Sequence, residues 1–107
     1  MRRVHQERNT IRDVLWNIYL DQYETIFEEC KDGKSLSEVV RRSIDFGMEN
    51  QLNKKFKSNR DPKRSLRKVQ INMTQKQYMW FESKFPNRKK SEGLRFVIDT
   101  YLKLGRV

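Results

Sequence analysis

Residues 37–48 (SEVVRRSIDFGM) and 91–102 (SEGLRFVIDTYL) carry Ser, Glu, Arg, Ile and Asp at the same five of twelve places. Val40 lies over Leu94 and Met48 over Leu102 besides. Both stretches have helical periodicity, so the chain holds one helix plan twice. At 107 residues it has the length of one small domain. Two halves built alike must therefore share a single core.

The segments ahead of each helix repeat as well. In VLWNIYL, Val14, Trp16, Ile18 and Leu20 share one parity, while Leu15, Asn17 and Tyr19 share the other. This alternation predicts a strand with one face on a core. In KVQINMT, Val69, Ile71 and Met73 alternate with Lys68, Gln70 and Asn72. After the first strand, Asp21 is a plausible N-cap, and Tyr23, Ile26, Phe27 and Cys30 share one helical face. Gly33 supplies a stop. Ser35 then caps the next helix with Glu38 as capping-box partner, and Leu36, Val39, Val40, Ile44, Met48 and Leu52 form its apolar stripe over about four turns. After the second strand come Thr74 as cap, a helix with Tyr78, Phe81 and Phe85 on one face, and Trp80 beside that face. A break at Pro86-Asn87 precedes a last helix from Lys90 to Leu104.

Between the copies, KKFKSNRDPKRSLR holds seven Lys/Arg against one Asp, with Pro62. That composition predicts a mobile or partly ordered basic linker. The expected organisation is a flexible basic N-terminal arm at 1–11 (with Arg2, Arg3 and Arg8), a first unit at 12–53, the linker at 54–67 and a second unit at 68–107.

The formal charge is +10 and unevenly spread: residues 1–53 are net −2 and residues 54–107 net +12. Such a balance points to a polyanionic partner, nucleic acid first and an anionic membrane second. No apolar run approaches the roughly 20 residues that span a bilayer, and the N-terminus lacks a secretory h-region. A membrane role is therefore not expected, and the cytoplasm is (a host cell's cytoplasm, if the chain is viral). One cysteine (Cys30) and one histidine (His5) allow no internal disulfide and no ordinary zinc site. Neither a metal nor a cofactor is expected. No Ser/His/Asp set, phosphate-binding glycine loop or carboxylate pair suggests an enzyme, and Glu24, Glu28 and Glu29 read as a solvated helix face.

Strand, helix, short turn, helix in about 40 residues resembles the ribbon-helix-helix family of DNA-binding proteins, the MetJ/Arc type. The strands VLWNIYLD and KVQINMT and the turn and helix GKSLSEVVRRSI carry the resemblance. The second copy, NRKKSEGLRFVI, departs from it, with Asn87 in place of the glycine and Lys89 in place of the capping serine. The resemblance implies a mainly α fold with a short two-stranded antiparallel β-ribbon, here in tandem as in some archaeal-virus and plasmid regulators. One chain would then be a monomeric pseudo-dimer. A linker of about 14 residues reaches roughly 45 Å when extended, enough to return the chain to the second strand.

The resemblance further implies double-stranded DNA as partner, with the ribbon in the major groove. Base-reading positions would be Leu15, Asn17 and Tyr19 in the first strand and Lys68, Gln70 and Asn72 in the second. Amides suit adenine, lysine suits guanine, and apolar side chains suit thymine methyls. Phosphates would sit at the starts of the second helices, on Lys34, Ser35 and Ser37 and on Lys89, Lys90 and Ser91, with Arg64 and Arg67 of the linker adding sequence-blind affinity. The expected function is a sequence-specific transcriptional regulator, a repressor first, able to self-associate along DNA. Alternatives are an architectural, DNA-coating or relaxosome-accessory protein, or an adaptor of antitoxin type.

Overall fold

The computed structural model describes residues 10–11, 14–30, 33, 35–58, 60–86 and 89–105. The expected arm residues Arg2, Arg3 and Arg8 lie outside these. The chain forms β1 (Thr10–Ile11), β2 (Leu15–Tyr19), α1 (Leu20–Glu29) and α2 (Leu36–Glu49), then a 3₁₀ turn at Leu52–Lys54. It continues with β3 (Leu66–Gln70), β4 (Met73–Thr74), α3 (Gln75–Lys84) and α4 (Lys90–Thr100), whose end widens into a π-helical turn at Tyr101–Gly105. The described residues form a mainly helical domain of four α-helices with short antiparallel strand pairs.

The pairing joins the two halves. β2 runs antiparallel to β3, with Leu15 opposite Gln70, Asn17 opposite Lys68 and Tyr19 opposite Leu66. β1 runs antiparallel to β4, with Ile11 opposite Met73. Residues 10–11, expected in the arm, thus belong to a strand, and β3 begins two residues before the expected Lys68. Beneath the strands, Trp16, Ile18, Val69, Ile71 and Met73 are buried, as their parity predicts. They meet Val39, Val40 and Ile44 of α2, Trp80 and Phe81 of α3, Phe85 just beyond its end, and Leu94, Val97 and Ile98 of α4 in one continuous core. Trp80 completes this core. Its ring packs edge-on at 5.0 Å from Phe81 and 5.1 Å from Phe85.

Polar residues lock the halves together in two matching sets. Gln22 Oε1 accepts from the Tyr19 N–H at 2.9 Å, while Gln22 Nε2 donates to the Arg95 carbonyl at 2.9 Å and to Asp99 at 2.7 Å. Gln77 Oε1 accepts from the Thr74 N–H at 3.0 Å, while its Nε2 donates to the Arg41 carbonyl at 3.3 Å and to Asp45 at 2.9 Å. Each glutamine reaches from one half to the second helix of the other. The strands are held the same way. Ser91 Oγ accepts from the Asn17 N–H and Arg95 donates to the Asn17 carbonyl; Ser37 Oγ accepts from the Asn72 N–H and Arg41 donates to the Asn72 carbonyl. Three of the five repeated identities, Ser, Arg and Asp, make these bonds. A fourth, Ile44 with Ile98, is fully buried. The helical repeat is therefore a repeat of contacts, not only of periodicity.

The local expectations need three corrections, and the linker a closer description. Helix α1 begins at Leu20, so Asp21 sits in its first turn and is not its cap; Gln22 serves the Tyr19 N–H instead. On α1 the inward side is Gln22 and Ile26, with Tyr23 and Cys30 half-buried, whereas Phe27 is 53% exposed. Ser35 does cap α2 by accepting from the Glu38 N–H, but the Glu38 carboxylate turns to Arg42 and not back to the cap. The basic linker is ordered over much of its length. Phe56 packs edge-on against Phe85 and Phe96, Ser58 donates to Glu92, and Arg64 is fixed by two carboxylates. Of the two states that composition allows this is the partly ordered one, with one aromatic and one arginine anchoring an otherwise solvated segment.

Gly93 marks the tightest helix approach, since a Cβ there would lie 2.7 Å from the Phe85 ring. Gly93→Ala should lower stability by about 1–3 kcal/mol through overpacking. Gln22→Ala strips three buried or half-buried groups of their partners and should cost about 2–3 kcal/mol, with Gln77→Ala similar. Urea unfolding of each variant measures these losses, and a Gln22→Ala loss under about 0.5 kcal/mol would deny the glutamines this role.

Candidate nucleic-acid interface

The side of β2 and β3 that faces away from the core is a short row of cross-strand pairs. Leu15 is 57% exposed beside Gln70, and the half-buried Asn17 faces the exposed Lys68. Leu66 adds an exposed apolar side chain to this row, at a position that reading from Lys68 onward omits. Described residues of the row include no acid. Exposed leucines, amides and a lysine on a pleated two-stranded ribbon present apolar, donor and acceptor groups together, the groups that distinguish base edges.

Two expected readers are placed otherwise. Tyr19 has outward parity but is only 3% exposed, because the linker folds over it. Its hydroxyl accepts from the Asp61 N–H at 2.8 Å, and the Arg64 guanidinium lies 3.8 Å above its ring. Asn72 falls in the break between β3 and β4, half-buried, with its backbone held by Ser37 and Arg41. Leu15, Asn17, Lys68 and Gln70 are brought together.

The expected phosphate seats divide similarly. Ser35 caps α2, and Ser37 and Ser91 spend their hydroxyls on the strand N–H groups of Asn72 and Asn17. Lys89 pairs with Glu92 at 3.1 Å and Lys90 with Glu82 at 2.6 Å. No side chain caps α4, as the substitution of serine by Lys89 predicts. Lys34 lies outside the described residues. Arg67 stays exposed, its guanidinium 4.2 Å from the Tyr23 ring. Arg64 is corrected outright from a linker cation to a structural clamp, since it donates to both Asp21 and Asp99 at 2.7–3.0 Å.

These pairings set the local electrostatics. Hydrogen bonds that Arg64 donates to Asp99 and Asp21 raise its pKa further, so its charge is permanent. The Arg64 hydrogen bond holds Asp21 below the ordinary aspartate value, against burial. Glu82 is lowered by its bond from Lys90, and Lys90 is raised by the same bond. For Glu92 burial works upward, but the Lys89 and Ser58 contacts together outweigh it. Among the described residues no group of His, Cys, Asp and Glu could hold a metal ion, and no helix is long and apolar enough to cross a membrane.

What sequence reasoning missed is the clamp set: Gln22, Gln77, Arg41 and Arg95. The signal was present for the arginines, which are among the repeated identities. Comparison with protein-family models, with curated proteins and with solved structures finds no match to this chain.

The Asp21 shift has a defined pH consequence. A carboxylate whose folded pKa is depressed adds stability above its unfolded pKa and loses it as pH falls through the folded value. Thermal melts should therefore show the Arg64–Asp21 contribution intact near neutrality and fading below about pH 4. In Asp21→Asn the acid-side decline should be shallower; an unchanged decline would assign it to other carboxylates.

Proposed function

We propose that this chain is a DNA-binding protein of ribbon-helix-helix type, with two units folded into a single-chain pseudo-dimer. The observation that carries the reading is the pair of matching hydrogen-bond sets joining each strand and first helix to the second helix of the other half. An intramolecular antiparallel ribbon presents Leu15, Asn17, Lys68 and Gln70 on its outer face, and such a ribbon has the width to enter the major groove of B-DNA. Arg67 and the exposed linker lysines supply positive charge beside it for phosphates. Because the two strands differ in sequence, the module reads an asymmetric site and acts as a transcriptional regulator, a repressor by occlusion of its target.

A second reading, sequence-blind coating of DNA, is favoured by the exposed cations of the linker, Lys54, Lys55, Lys57 and Lys63. Selection from a random duplex pool followed by shift assays with excess random competitor separates the two. A regulator yields a non-palindromic preferred sequence and keeps its complex under competition, whereas a coating protein is stripped from the probe. Lys68→Ala with Gln70→Ala should weaken binding to the preferred duplex at least tenfold, each good base contact being worth about 1–3 kcal/mol. Binding to random duplex should fall far less. Equal binding of the preferred duplex by the double variant and the parent chain would remove the ribbon from the mechanism.

A further inference from the structure

The linker does not lie flat on the helices. Between it, the end of β2 and α4 it leaves a cleft of about 340 Å³, within the size range of small-ligand sites. Its three carboxylates are already engaged. Asp99 accepts from Arg64 and Gln22, Glu92 pairs with Lys89 and accepts from Ser58, and Asp61 accepts from the Lys63 N–H. Its cations are not all engaged. Lys55 and Lys57 line the cleft, exposed, and neither ammonium has an ion-pair partner among the described residues.

Arg95 forms part of the cleft wall. It is 6% exposed, with Nη1 donating to the Asn17 carbonyl at 2.7 Å, yet its Nε is buried with no acceptor. Its guanidinium lies 5.2 Å from the Tyr19 ring, whose other near cation is Arg64. Arg41, which makes the matching bond to Asn72, is only half-buried and has no orphaned Nε. The cleft is thus a product of the linker and not of the repeated packing. The guanidinium-bearing Arg95 on the cleft wall, beside two lysines with no ion-pair partner among the described residues, suits an oxyanion with several acceptor oxygens.

We propose that this cleft binds a phosphoryl group, held by Lys55, Lys57 and Arg95. The same chemistry has two possible sources, a free phosphate compound or the phosphodiester backbone of a duplex. Since Arg95 also holds the Asn17 carbonyl, a bound phosphoryl group stiffens the β2 end of the ribbon.

The test uses the full chain. Calorimetric titration with pyrophosphate and with inorganic phosphate, at constant ionic strength, compares the parent with Lys55→Ala/Lys57→Ala. Both lysines are exposed, so the variant should keep its circular dichroism spectrum. Random-sequence duplex binding over a salt series forms the second arm. If the source is free, pyrophosphate binds the parent and affinity falls at least tenfold in the variant. If the source is a duplex, the free anions do not bind and the slope of log affinity against log salt drops by about two in the variant. Arg95→Lys, which keeps the charge but loses the fork, should weaken whichever binding is found. Parent and double variant behaving alike in both arms overturns the proposal. The first arm contains no nucleic acid, so its result stands or falls apart from base reading by the ribbon.

Discussion

A β-strand with no neighbour leaves a row of unpaired N–H and C=O groups, and each half of this chain contributes one such strand. Pairing Leu15–Tyr19 with Leu66–Gln70 satisfies both and brings the apolar sides of the two strands onto one floor. The four helices then close over that floor. Neither half could do this alone, because an isolated ribbon half has no ladder and two helices leave much of their apolar stripe in water. The core, the clamps and the exposed outer row all follow from this one pairing.

The clamps determine how firmly the ribbon is seated. Main-chain groups of Asn17 and Asn72 are held by a serine and an arginine from the opposite half, so strand position is set by second-helix position. Arginine serves here because its guanidinium is always charged and reaches a carbonyl while its stem packs on apolar neighbours. The two seats are alike in bonding but unlike in cover. Linker residues bury Tyr19 and enclose Arg95, while Arg41 remains half in solvent. A pseudo-symmetric frame therefore carries asymmetric surroundings.

Much of the architecture was legible in the sequence because it rests on periodicity. Alternation in VLWNIYL and KVQINMT identified the inward residues Trp16, Ile18, Val69, Ile71 and Met73, and spacing of four identified the α2 stripe. Periodicity failed where a polar residue took a core place. Gln22 is buried on α1 and Phe27 is not, since Gln22 satisfies three groups at once that would otherwise be unpaired. Strand parity likewise placed Tyr19 outward, but parity describes the strand alone and cannot foresee a segment more than forty residues later folding over it. Arg64 read as one cation among many for the same reason: its two carboxylate partners are distant in sequence. In the candidate interface, Leu15, Asn17, Lys68 and Gln70 share the outer row that local pattern gave them, whereas Tyr19 is covered by the linker and Asn72 falls in the break between β3 and β4.

The pairing of residue 15 with residue 70 also has a temporal side. During synthesis at roughly 5–20 residues per second, β2 waits several seconds before β3 exists. Throughout that interval an apolar strand edge and half a core have no intramolecular partner. On a crowded transcript, two nascent copies can satisfy each other's edges by exchanging halves, giving a swapped dimer with the same contacts as the monomer. The anchored linker works against this outcome: once Arg64 docks on Asp21 of the first half, the second strand is delivered to its own first strand ahead of a neighbour's.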